Sequence, residues 1–193
     1  MLIGPQHRFL DALDWNDPDF QDAVEGGVTT IVTGPGSGEN VSGMAVVIKT
    51  FGTDYTKRML LEKGGMKFAM GPKGRMRYPA TAMGVAANLR QYLIKTQEYM
   101  AAQKKWEDDG KKGNPPARDL GYEAMADVLT HKTYVRAHVH AATDVMTLLT
   151  QGRVRVRPYT PSLDRGVQGR AGSGEAGRHR RRATVRRPYW AER

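Results

Sequence analysis

The sequence predicts an α/β fold followed by a C-terminal segment of a different kind, and three observations carry that reading. Short apolar runs ("VTTIVTG", "AVVIKTFG", "GMKFAMG") are bounded by glycines and lack the polar alternation of a half-exposed sheet, as strands buried on both faces do. Segments with helical spacing of apolar residues separate or follow them. Charge is divided unevenly: residues 1–152 hold 18 Lys+Arg against 17 Asp+Glu, a net of +1, whereas residues 153–193 hold 12 Arg, no Lys and 3 acids, a net of +9.

Taken in order, "DPDFQDAVEGG" predicts a short helix, with Asp17 as its cap, Pro18 in its first turn and Gly26-Gly27 as its stop. Val28 to Gly34, Ala45 to Gly52 and Gly65 to Gly71 follow as strands. A long helix starts near Thr81 and presents Ala82, Ala86, Leu89, Leu93 and Met100 on one face. "KKWEDDGKKGNPPARD" reads as a polar loop. Leu120, Ala124 and Val128 mark a further short helix, Tyr134 to His140 a strand, and "ATDVMTLLTQG" another helix. The alternation implies parallel βα units covered on both faces. No internal repeat of solenoid or propeller length is evident.

Composition narrows the function classes. A chain of 193 residues is long enough to bury a sizeable core. It has no cysteine, which excludes a disulfide framework, a Cys-based zinc site and a thiol nucleophile. No apolar run approaches membrane-spanning length, and "MLIGPQHRF" lacks the apolar core of a signal peptide, so a soluble cytoplasmic protein without membrane contact is expected. The Arg-rich segment has no sustained apolar period and is interrupted throughout by Gly and Pro. It buries too little apolar surface to offset its ordering entropy and is expected to be disordered. Its arginines could neutralise phosphates, and Tyr159, Tyr189 and Trp190 could stack on bases.

The candidate chemistry centres on "VRAHVHAATD". On a strand, His138 and His140 point to the same face and can reach one site; on a helix they would stand roughly 200° apart. Two readings stand: imidazole ligation of Zn²⁺ or a similar ion, or one hydrogen-bonded core histidine beside a rim histidine. Lys67 lies mid-strand in "GGMKFAMG". Such a lysine snorkels or pairs with an acid, or, with its basicity lowered by burial, serves as nucleophile, base or, once carboxylated, metal ligand. Lys49 is a weaker candidate of the same kind. The glycine-rich "TGPGSGENVSG" lacks the closing Gly-Lys-Ser/Thr of a P-loop and reads as a pliable loop after a strand rather than a nucleotide site. Met59, Met66, Met70, Met76 and Met83 read as core filler.

In sequence order, "DPDFQDAVEGGVTTIVTGPGSGENVSGMAVVIKTFG", "GGMKFAMGPKGR", "PATAMGVAANLRQYLIKTQEY" and "VRAHVHAATDVMTLL" resemble the imidazolonepropionase-related branch of the metal-dependent amidohydrolases, over roughly residues 10–150. The resemblance implies a partial (β/α)₈ TIM-type barrel, roughly strands 2 to 5, in residues 1–152. It also implies hydrolysis of C–N bonds in small amide or cyclic-amide substrates through water activated by one or two divalent metals, Zn above all. Carried over by position, His138 matches the strand-5 metal histidine and His140 a group beside the metal or facing substrate. Lys67 matches a strand-4 lysine that can be carboxylated to bridge two metals. "GPKGR" departs from the Gly-Glu-Asn-Pro-Lys-Arg run expected after that strand.

Other departures are absences. The family's strand-1 His-x-His has only the lone His7 in its place, and no strand-6 histidine or strand-8 aspartate is recognisable after residue 150, His179 in "GRHRRRA" included. The expectation is therefore a truncated, inactive piece of the enzyme, with residues 153–193 as a tail. A +1 frameshift near Gly152 would account for the composition break. Codons for Asp164 to Arg182 exist that, read one base later, encode an amphipathic helix, a glycine stop and a β-branched strand. The alternative function is a non-catalytic α/β domain with an Arg-rich nucleic-acid-binding tail.

Overall fold

The computed structural model describes residues 3–72 and 78–150, and the backbone of Val156–Pro158. After a 3-10 turn at Phe9–Ala12 comes helix α1, Asp19–Glu25. Its cap is Pro18 rather than Asp17, although Asp17 Oδ1 accepts the Asp19 N–H at 2.9 Å and so serves the same exposed donors. Gly26 ends the helix, and Gly27 turns the chain away with φ +76°. The remaining elements are β1 (Thr30–Thr33), β2 (Val41–Lys49), the single turn α2 (Tyr55–Arg58), β3 (Met59–Ala69), α3 (Ala82–Asp108), α4 (Leu120–Leu129), β4 (Val135–His138), α5 (Ala142–Thr150) and β5 (Val156–Pro158).

The five strands form one mixed sheet in the order β1-β2-β3-β4-β5. The expectation of parallel βα units throughout is corrected here. β1 with β2 and β2 with β3 pair antiparallel, and only β3-β4-β5 run parallel. Connection length is the cause. A parallel crossover takes about a dozen residues or more, and the segments Gly34–Asn40 and Thr50–Arg58 are shorter than that. The segment between β3 and β4 holds both α3 and α4, which is ample. A second correction concerns the tail. Val156–Pro158, expected within the disordered segment, pairs with β4 from Val135↔Val156 to Ala137↔Pro158, and "RVRVR" has the period of two that a strand needs. The rest of residues 153–193 lies outside the described residues.

One face of the sheet carries the core. Met66, Phe68, Val135 and Ala137 point to it, joined by Val41 and Met44 from β2 and by Val85, Leu89, Leu93, Met125, Val128 and Leu148 from the helices. Thr81 caps α3 by accepting the Gly84 N–H at 3.1 Å, and Asp119 caps α4 by accepting that of Tyr122 at 2.9 Å. Tyr92 fills the seam between the two helices, its ring 5.2 Å from that of Tyr122. Burial, then the Asp119 carboxylate, pushes its phenol above the ordinary range. At the other end, Arg58 is 5% exposed and donates to the carbonyls of Trp15 (2.8 Å), Lys49 (3.2 Å) and Thr50 (3.4 Å). Its guanidinium stands over the rings of Phe20 and Trp15, which fastens the N-terminal segment to β2. No described helix is long and apolar enough to cross a membrane.

Candidate functional site

Strand direction gathers the site. β2 runs against β3, and β3 runs with β4, so the start of β2 and the ends of β3 and β4 share one rim of the sheet. His138 closes β4 at this rim, opposite Ala69, and one step below it Arg136 is opposite Lys67. Alternation then decides the faces. Val135 and Ala137 are buried under the helices, which turns Tyr134, Arg136 and His138 to the opposite face. Lys67, half-buried between core residues Met66 and Phe68, points the same way.

His140 lies two residues on, just past the strand end and exposed. The strand expected to run to His140 ends at His138, so period two does not place His140, yet the two rings lie together with centroids 4.4 Å apart at 52°. Asp144 holds the turn between them and α5, its Oδ2 accepting the N–H groups of His140 (3.3 Å) and Ala141 (3.2 Å). A Cβ on Gly71 would meet His140 Cδ2 at 3.7 Å, an ordinary contact.

The loop Gly34–Asn40 supplies what the sequence reading missed. Ser37 Oγ lies 2.7 Å from His138 Nδ1, across 101 residues of sequence. At the loop's end, Asn40 is 2% exposed, its Nδ2 donating to Ala69 O at 2.8 Å and Gly71 O at 3.4 Å. Its Oδ1 is buried with no hydrogen-bond partner among the described residues. Next to it Glu39 approaches His7, Oε2 to Nδ1 3.7 Å. The only sequence signal for any of this was a glycine-rich stretch, read as pliable. Among the other candidates, Lys49 is exposed, Met66 and Met70 are core as expected, and Met83 is 81% exposed instead. Met76 and His179 lie outside the described residues.

Two adjacent imidazoles are donors suited to Zn²⁺, and a lysine joins them on the same face of the sheet. Catalytic zinc takes about three protein ligands, and the described residues contain no cluster of three or more His, Cys, Asp or Glu. The donor types fit a divalent ion; their number falls short of a complete shell. A separate cavity of about 500 Å³ lies beside Arg8, Glu62, Lys63, Glu123 and Asp127. Its charges are already engaged, Arg8 with Glu62 at 3.2 Å and Lys63 with Asp127, so it offers no comparable chemistry.

Comparison with known proteins agrees with the fold. The chain is 28% identical to a solved amidohydrolase from Thermotoga maritima MSB8, with a TM-score of 0.76 over 82% of this chain and 43% of that one. It is 26% identical to Amidohydrolase tasK of Hapsidospora irregularis over 76% of this chain and 17% of that protein. The chain thus spans less than half the length of either relative. No family model matches it. By sequence and by fold the chain is related to the amidohydrolases.

Proposed function

We propose that this amidohydrolase-related chain carries part of the active site of a metal-dependent hydrolase. It would act in the cytoplasm on a carbon–nitrogen bond of a small amide or cyclic amide, on a partial TIM-type barrel. The observation that carries the reading is the meeting of the His138 and His140 rings at the C-terminal rim of β4, where β/α barrels keep their chemistry. His138 would hold the metal, with Lys67, carboxylated, as a second donor. His140, exposed at the rim, would face the substrate. A divalent ion such as Zn²⁺ supplies Lewis acidity and lowers the pKa of a bound water. The protein's part is to keep the imidazoles together and the substrate's polar end over them.

The described donors are too few for tight binding, so the chain by itself is expected to bind Zn²⁺ weakly and to turn over little or nothing. Metal analysis and Co²⁺ titration of the full chain, with N-acyl amino acids and cyclic amides as substrates, test this. Binding lost in His138→Ala and weakened in Lys67→Ala supports the reading. Equal binding by the wild type and His138→Ala overturns it, and stoichiometric zinc with turnover overturns the partial-site part.

The charge of residues 153–193 supports a second reading, a nucleic-acid-binding tail on a non-catalytic domain. RNA affinity that falls steeply with salt and vanishes on removal of that segment would favour it.

A further inference from the structure

We propose that the two open edges of this sheet fit each other across a two-fold axis: β5 of one copy pairs in parallel with β1 of a second copy, and β5 of the second with β1 of the first. Neither edge has a further strand neighbour among the described residues, since β1 pairs with β2 alone and β5 with β4 alone. Thr30–Thr33 also make no backbone hydrogen bond outside the β2 ladder among those residues. Such a row of unpaired N–H and C=O groups is a template for another chain. Pro158 closes β5 and has no N–H to give, but Val156 and Arg157 before it keep theirs.

Strand direction selects the pairing. β1 opposes β2, β2 opposes β3, and β3, β4 and β5 run together, so β1 and β5 point the same way. A two-fold axis along the strands preserves that direction and meets both edges of both copies at once, which closes the assembly at two. A β1–β1 or β5–β5 contact leaves the other edge of each copy open. Closure needs a curved sheet, and the β2–β3 ladder has three register shifts of the kind that bend strands, at Val41/Gly43, Ala45/Val47 and Val47/Ile48.

Charge favours the same contact. Residues 9–27, which lead into β1, hold six acids and no Lys or Arg. Asp14, Asp17 and Asp19 line a cavity of about 280 Å³ together with Ile31 and Thr33 of β1, so this charge lies beside the strand. Asp14 and Asp17 each accept a backbone N–H at 2.9 Å, from Asn16 and Asp19, and no Lys, Arg or His among the described residues forms an ion pair with any of the three. At the other edge, residues 153–157 read Arg-Val-Arg-Val-Arg. Setting β5 against β1 joins opposite charges, whereas like edges would bring two acidic or two basic segments together.

The pairing requires nothing chemically of His138 or Lys67, but it gives their face a partner. Helices α3, α4 and α5 cover one face of the sheet. With the helices outside, the faces bearing Lys67, Arg136 and His138 of the two copies turn toward each other, and each sheet supplies the wall the other lacks. The chain matches 43% of the solved amidohydrolase, so two copies bring together about as much matching fold as that relative holds.

The chain has no cysteine, which suits it to cross-linking at full length. Single variants Thr30→Cys and Val32→Cys mark β1, and Val156→Cys and Arg157→Cys mark β5, with thermal melts to verify folding. Consecutive β5 residues face opposite ways, so one of the two matches either face of β1. When a β1 variant and a β5 variant are mixed and oxidised, at least one of the four combinations is expected to give a disulfide-linked dimer, since paired strands bring Cβ atoms within disulfide reach. No single variant alone is expected to cross-link, and the wild type should pass from monomer to dimer in sedimentation velocity with nothing larger. Disulfides within a single-variant sample place like edges together and overturn the proposal. So does a series of species beyond the dimer, which shows an open ladder of copies. A wild type that stays monomeric at every concentration, with all four mixtures unlinked, overturns it as well.

Discussion

Gly65 sits in β3 with φ +123°, a conformation that L side chains rarely adopt, and a Cβ there would lie 2.8 Å from Arg136 Cγ and 2.9 Å from Tyr134 Cε2. The absent side chain is what lets Arg136 lie across the strand on the site's face. Gly65→Ala is expected to cost about 1–3 kcal/mol in denaturant unfolding, from backbone strain together with displacement of Arg136. Adding Arg136→Ala should recover the steric part and leave the backbone part. Gly38→Ala, in open space and without a positive φ, should stay within about 0.5 kcal/mol of wild type. Equal melting of Gly65→Ala and Gly38→Ala would refute this account. In the sequence Gly65 looks like a strand boundary, but β3 runs through it from Met59 to Ala69. The register with β2 shifts beside it, as at a β-bulge, where glycine serves inside a strand. The histidine pair was legible because its two members are close in sequence, although β4 ends at the first of them. Ser37 was not, because its partner is 101 residues away.

At the scale of elements, the ends of α3 and α4 show how much rests on short polar signals. Thr81 and Asp119 each bind an otherwise exposed backbone N–H of the first turn. Thr81→Ala should therefore lower stability by about 1 kcal/mol, within a range of roughly 0.5–2, seen as a lower urea midpoint at unchanged slope. Thr81→Ser should retain most of it; a midpoint that does not move would show that α3 is held by packing alone. The start of α3 was readable from Thr81, but its buried face only partly. Leu89 and Leu93 are core as expected, whereas the stripe continues through Val85, Asn88 and Thr96 instead of Ala82 and Met100. Thr96 escapes a hydrophobic pattern because it is polar, yet it is fully buried with its hydroxyl donating to Tyr92 O at 2.8 Å. The helix also runs on to Asp108, past the expected loop start at Lys104, with a Lys104–Asp108 pair one turn apart. Apolar periodicity has nothing to say about such a charged last turn. Strand direction was misread for a related reason. Short apolar strands look alike in either orientation, and the connection lengths that distinguish them are visible only once strand ends are known.

For the molecule as a whole, the helices α3, α4 and α5 cover one face of the sheet, and the other bears Lys67, Arg136 and His138. Among the described residues β1 pairs with β2 alone, which leaves its outer side without a strand neighbour. A β-branched strand of this kind is a template for a second chain unless charge or proline blunts it. β1 carries neither: it reads Thr-Ile-Val-Thr, with Val32 39% exposed and Val28 just before it 43% exposed. Concentration-dependent self-association through β1 is therefore expected. Val32→Lys places a charge on the exposed side of the strand while Ile31, which is half-buried, keeps its packing. The substitution should lower association in sedimentation velocity and leave the melting temperature nearly unchanged, since a surface replacement away from the core costs about 0.5 kcal/mol or less. Ile31→Lys serves as the contrast. Its side chain faces inward opposite Ile48, so it should lower the melting temperature as well. Association that persists in Val32→Lys would place the contact elsewhere, with the exposed Met146 and Leu149 of α5 the next surface to vary.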